Sequence, residues 1–261
     1  MNFKTIILSV SIFILCLSSI GIGKDKDLEQ VFVNYNINGT MVIQSLDGKT
    51  KYIHNKKRAR EQIMPEETFE IPLTLIALST GKIENTKEVI RWDGRDKGSS
   101  QWNRDQTLES AFQTSCQWYF QAIAMSIGEK ELGAHLRKIN YGNKNLKYDF
   151  TMCWFDGRLE ISALEQVDFL RKFYNHKLPY SGSDIELVIK LMPVAQTSSY
   201  TLRGKKGIVR TILPNIGWYI GFVKTKGKVY FFATNMDLPK TGGEKYPWTI
   251  TKQSLKAKDL F

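Results

Sequence analysis

The order of the sequence periodicities constrains this chain most, because β-rich runs at both ends enclose a middle that reads as helix. Residues 40–46 and 49–54 are rich in β-formers and are joined by Asp47-Gly48, a dipeptide that accepts the positive φ of a tight hairpin turn. Apolar spacing near 3.6 then marks helices over residues 107–127, 129–139 and 162–174, the last opened by Ser162 and Glu165 at capping-box spacing. Strands return at 200–209, 217–224 and 228–235, the last two joined across 225–227, and a short helix follows Thr249. Strands, then helices, then strands imply an α+β fold, an antiparallel β-sheet flanked by helices. No Pro/Gly/Ser-rich linker or repeat divides the 261 residues, so residues 24–261 read as one domain.

The first 23 residues read differently. Lys4 precedes an apolar stretch from 6 to 22, which ends in Gly21-Ile22-Gly23 before the charged Lys24-Asp25-Lys26-Asp27. This is the layout of a signal peptide cleaved after Gly23; the competing reading is an uncleaved anchor, since the run approaches membrane-spanning length. The formal charge is +11, and removal of Lys4 with the leader leaves 36 basic against 26 acidic residues, or +10. Apart from Lys56-Lys57-Arg58 the cations are scattered, so the sequence argues for solubility and attraction to acidic envelope polymers and gives no nucleic-acid footprint. His54, His135 and His176 lie far apart without ligand spacing, and neither a metal nor a cofactor is expected.

The chemistry-bearing segment is Pro65-Glu66-Glu67-Thr68-Phe69-Glu70-Ile71-Pro72, followed by the apolar run 73–78. Further along stand Trp102-Asn103-Arg104-Asp105-Gln106-Thr107-Leu108, Ser115 within Thr114-Ser115-Cys116-Gln117, Tyr141-Gly142-Asn143 and Cys153-Trp154-Phe155-Asp156-Gly157. Ile161-Ser162-Ala163-Leu164-Glu165, Leu202-Arg203-Gly204-Lys205-Lys206-Gly207, Ile216-Gly217-Trp218-Tyr219 and Phe232-Ala233-Thr234-Asn235-Met236-Asp237 complete the series. In this order and spacing, the chain resembles the class D (oxacillinase-type) serine β-lactamases, within the wider penicillin-binding group. The resemblance implies export to a bacterial periplasm, a sheet with a helical lobe, a serine nucleophile at position 67 and, at 70, a lysine base activated by carboxylation.

Both positions hold glutamate. Glu67 has no hydroxyl to acylate, and an acyl group on a carboxylate would be a labile mixed anhydride. Glu70 cannot be carboxylated, and Thr68 is turned roughly 100° away along a helix. The resemblance also implies valine where Gln117 stands, threonine where Lys206 stands, and an arginine near the C-terminus, whereas no arginine follows Arg210. It further implies that Ser115 shuttles protons and that Trp154 hydrogen-bonds the modified lysine; the plainer readings are a backbone cap and a packed core indole. Cys116 and Cys153 fall in the active-site region of the family layout, as a disulfide or as two small buried residues. Lys240-Thr241-Gly242 and Ser79-Thr80-Gly81-Lys82 spell family motifs in the wrong context, a loop and a helix end.

These substitutions place carboxylates at a helix start, where the dipole favours anions, opposite two lysines. The expectation is an ion pair between Glu67 or Glu70 and Lys205 or Lys206 across the old cleft. The functional expectation is a periplasmic class D β-lactamase-like protein without acyl-serine chemistry, either a relic or a non-covalent binder of β-lactam or peptidoglycan-derived ligands. Ser115, Trp154, Lys205, Lys206 and Gly207 are its candidate ligand-binding residues. The competing readings are an active β-lactam hydrolase with a non-standard nucleophile and an envelope interaction protein acting through its basic surface.

Overall fold

The computed structural model of the protein describes residues 25–210 and 213–261, so the apolar run 6–22, its cleavage point and Cys16 lie outside the described residues. The chain enters through α1 (Lys26–Asn34), capped where Asp25 accepts the Leu28 N–H. Strand β1 (Gly39–Ser45) then turns into β2 (Lys51–His54). Asp47-Gly48 does sit in this turn, but the loop is longer than two residues: the Asp47 carboxylate accepts from Ser45 Oγ at 2.6 Å and from the Lys49 N–H at 3.0 Å. A 3₁₀ turn, Glu66–Phe69, leads into α2 (Glu70–Ser79), whose residues from Glu70 to Leu78 are all buried. Helix α2 is apolar nearly all round, as expected for a helix enclosed between sheet and lobe.

The small ladder β3 (Val89–Ile90) with β4 (Gln106–Thr107) precedes the lobe. The helix expected over 107–127 is broken in two, α3 (Leu108–Thr114) and α4 (Gln117–Ile127), with Ser115 between them in the left-handed region at φ 49°. Periodicity runs through the break because both pieces bury apolar faces into one core; only the backbone at Ser115, left-handed, and Cys116, extended, interrupts them. Helix α5 (Glu129–Ile139) follows, then α6 (Ala163–Tyr174), whose Ser162–Glu165 capping box is closed in both directions. Helix α7 (Gly182–Leu191) is capped by Ser181 and leads to β5 (Val194–Gln196). The chain ends with β6 (Tyr200–Val209), β7 (Asn215–Thr225), β8 (Lys228–Leu238) and α8 (Tyr246–Ala257).

One antiparallel sheet has the order β2-β1-β8-β7-β6-β5. The first hairpin thus pairs with the last strand, with Gly39 opposite Met236 and Ser45 opposite Tyr230. Strands β7 and β8 meet in a two-residue turn, Lys226-Gly227, both at positive φ. Side chains on one sheet face, with Phe222 and Phe231 among them, join α2 and the helical lobe in a large core; Ile43, Val223 and Phe232 on the other pack under α1 and α8. Cys116 and Cys153 are buried free thiols, with burial pushing their pKa values to about 11 and about 12.

Candidate functional site

The 3₁₀ turn at Glu66–Phe69 lies against β6, and Gly207 makes that approach tight. A Cβ at 207 would stand 3.0 Å from the Pro65 carbonyl oxygen, 3.2 Å from Thr68 Cγ2 and 3.3 Å from Glu67 Oε2. Trp218 on β7 fixes the approach from below, donating its indole N–H to the Met64 carbonyl at 3.0 Å. The turn replaces the helical start expected after Pro65, and Glu66 within it carries φ 48°, a strained value for a residue with a side chain.

Glu67 reaches from this turn to β6, where Oε2 accepts the Ile208 N–H at 2.8 Å. Its own N–H also donates to the carboxylate, so two backbone donors converge on one anion. Burial raises the Glu67 pKa; these two bonds and the charges of Lys205 and Lys206 oppose it. The Thr68 hydroxyl is fully committed: it donates to the Pro65 carbonyl at 2.6 Å and accepts from Gln166 Nε2 at 3.0 Å.

Glu70 is 1% exposed and its Oε2 lies 2.6 Å from Nζ of Lys205, itself 3% exposed. The pair expected across the cleft is therefore Glu70 with Lys205; Lys206, the next residue on the strand, is exposed on the opposite side. Lys205 also donates to the Phe112 carbonyl at 2.5 Å and lies 4.3 Å from the Phe112 ring centre. Burial pushes the Glu70 pKa upward and Lys205 draws it back, by charge and by hydrogen bond. Ser115, at the end of α3, adds a hydrogen bond that favours the charged carboxylate. Its own N–H donates to the Ala111 carbonyl, so Ser115 both ends the helix and faces Glu70.

Trp154 is fully buried, with ring centres 5.1 Å from Phe69 and 5.3 Å from Phe155, and its carbonyl accepts the Glu66 N–H. Among the described residues its indole Nε1 has no partner. A buried donor left without an acceptor costs roughly 1–3 kcal/mol. Gln117, at the start of α4, points its amide toward Met152 Sδ at 3.7 Å. Ile250 of α8 is buried, and Arg210 pairs with Glu244 at 2.8 Å. Glu66 is buried in the 3₁₀ turn, and burial and the neighbouring Glu67 push its pKa up to about 9, against the pull of Arg210.

The other sequence features fall outside this site. His54 stacks on Phe32, His135 bonds Tyr180 Oη and His176 meets Glu186. Among the described residues no three His, Cys, Asp or Glu side chains are grouped to hold a metal ion, and no helix is long and apolar enough to cross a membrane. Lys240-Thr241-Gly242 is in the loop after β8, and Ser79 ends α2 with Gly81 at φ 67°.

The profile of the penicillin binding protein transpeptidase domain matches residues 34–256. The chain is 34% identical to the β-lactamase OXA-48 of Klebsiella pneumoniae, over 91% of this chain and 89% of that one. It is 36% identical to the probable β-lactamase YbxI of Bacillus subtilis, over 82% and 80%. Among solved structures, a class D β-lactamase from Nostoc superposes with a TM-score of 0.87 at 33% identity, over 90% of this chain and 99% of that one. FUS-1 (OXA-85), a class D β-lactamase from Fusobacterium nucleatum, superposes with a TM-score of 0.88 at 28% identity, over 92% and 100%. With its motifs in series, its sheet and lobe superposable and residues 34–256 matched, the chain belongs to the class D serine β-lactamase family of penicillin-binding transpeptidase domains.

Proposed function

We propose that this protein is an exported, periplasmic class D β-lactamase-like binding protein that has lost acyl-serine chemistry and engages β-lactam or peptidoglycan-derived ligands without a covalent bond. The observation that carries this reading is the Glu67 carboxylate, which stands where the family's serine is expected and is held by the Ile208 N–H at 2.8 Å. An acylating nucleophile needs a free oxygen or sulfur beside a base. The Thr68 hydroxyl has both its donor and acceptor roles filled, and Glu70 is engaged by a buried ammonium rather than open to a hydroxyl proton.

Intact mass of the purified protein after incubation with a penicillin tests the reading, alongside hydrolysis of a chromogenic cephalosporin against a boiled control. The expected result is no adduct and no turnover above the control. A stoichiometric acyl adduct or catalysed hydrolysis would overturn it and assign an active enzyme with another nucleophile, to be located by peptide mapping. Absence of any ligand-dependent rise in melting temperature, with penicillins and with muropeptides alike, would reduce the binding protein to a relic.

A further inference from the structure

Three of the four connections between neighbouring strands of the six-stranded sheet, β1–β2, β5–β6 and β7–β8, fall at one end, and the β6–β7 connection lies at the other. The β1–β2 turn is at the first end because the Leu46 N–H donates to the Val229 carbonyl, next to the β7–β8 turn at Lys226-Gly227. The β5–β6 turn joins them because Tyr200 lies opposite Thr225. Every strand of the sheet therefore ends or begins here, across roughly 24 Å at the usual strand spacing. Lys49, Lys51, Lys224, Lys226 and Lys228 are exposed on this end, with Arg171 half-buried beside them. Arg171 is anchored at the end of α6 by donating to the Leu46 carbonyl at 3.1 Å. The acids among these turns are Asp47, already tied to Ser45 and Lys49, and Asp259, 2.5 Å from Lys226. Burial lowers the pKa of Lys51, with the charges of Arg171 and Arg60 adding to it and the nearby acid Asp168 opposing it. A depression of about 430 Å³ between Thr197, Ser199, Lys224, Lys226 and Lys228 adds hydroxyls to the ammonium groups.

The described chain also begins at this end. Asp25 is 2.6 Å from Lys258, whose ammonium lies 4.7 Å from the Tyr52 ring centre, one residue from Lys51. An extended, shallow array of lysines on turn tips suits a planar field of negative charge better than a single bound anion.

We infer that the hairpin-turn end of the sheet is a docking face for an anionic phospholipid surface, holding the domain against the membrane with the cleft turned elsewhere. The inference is independent of the reading of the cleft. It is tested by co-sedimenting the chain from Lys24 onward, as leader cleavage would leave it, with vesicles of phosphatidylcholine alone and of phosphatidylcholine with phosphatidylglycerol. The expected result is binding that requires phosphatidylglycerol and is released in 1 M salt, where screening acts within about 3 Å. The triple variant Lys224→Glu, Lys226→Glu, Lys228→Glu is expected to bind at least about tenfold more weakly, since each lysine near such a surface contributes on the order of 1 kcal/mol. A control of equal charge change at the opposite end, Lys57→Glu, Lys240→Glu, Lys245→Glu, is expected to retain binding, with melting curves confirming that both variants are folded. Equal binding to neutral vesicles would overturn the inference. So would a triple variant no weaker than its control, or capture by soluble polyphosphate with none by the vesicles.

Discussion

Glu70 and Lys205 set the energetics of the cleft. Two ions at 1% and 3% exposure have given up most of their hydration, so their attraction mainly offsets a desolvation cost. Removing one partner leaves the other buried and uncompensated. Lys205→Met is therefore expected to destabilise the fold by about 3–5 kcal/mol, whereas Glu70→Leu with Lys205→Met should recover most of that loss. Denaturant unfolding of both single variants and the double variant measures the coupling. Glu66 gives a pH-dependent counterpart. Its folded pKa of about 9 exceeds the ordinary 4.5, so between those values the native state binds more protons than the unfolded one, and stability falls as pH rises. Glu66→Gln should leave melting near pH 4 unchanged and raise it by a few degrees near pH 8, flattening the slope. Thermal unfolding across that range reads both. The restoration Glu67→Ser with Glu70→Lys returns the family's nucleophile and base to a cleft that keeps Ser115, Lys205 and Trp154. It is expected to regain slow acylation by a penicillin, and mass spectrometry would show it as a stable adduct.

Among elements, the contact between β6 and the 3₁₀ turn is the most sensitive. Gly207→Ala would press a methyl to 3.0 Å from the Pro65 carbonyl and 3.3 Å from Glu67 Oε2. Overpacking of this kind costs typically 1–3 kcal/mol, and here it should also loosen the Glu67–Ile208 hydrogen bond. A lowered denaturation midpoint with an unchanged m-value checks it. What the sequence disclosed of these elements follows from where their signals lie. Strand β6 and helix α5 have the bounds that periodicity gives, and Ser162–Glu165 closes as its spacing implies. The break at Ser115 was illegible because one left-handed and one extended residue leave the apolar spacing on either side intact. The same holds for the 3₁₀ turn, where residues 67 and 70 are three apart in either kind of helix. Helix α7 did carry a readable signal, Ser181 three residues before Asp184. The partner of Glu70 was narrowed to two lysines by sequence, and strand alternation decides between them: Lys205 faces in and Lys206 faces out.

Over the whole molecule, the fold is a sheet with a core on each face, and the two cores involve the chain's ends to different degrees. The helical lobe is built from consecutive residues, while the sheet joins β1 to β8, with Asn38 bonding Asp237 across 199 positions. Local helical contacts form quickly and such distant pairings slowly. Until β8 exists, the N-terminal hairpin has only β2 beside it, and an isolated two-stranded ribbon is marginal in water. The sheet is thus completed only after nearly the entire chain has been made. A nascent chain of this topology stays threadable through a narrow conduit for almost the whole of its synthesis and acquires its compact shape in the compartment where its last strand arrives.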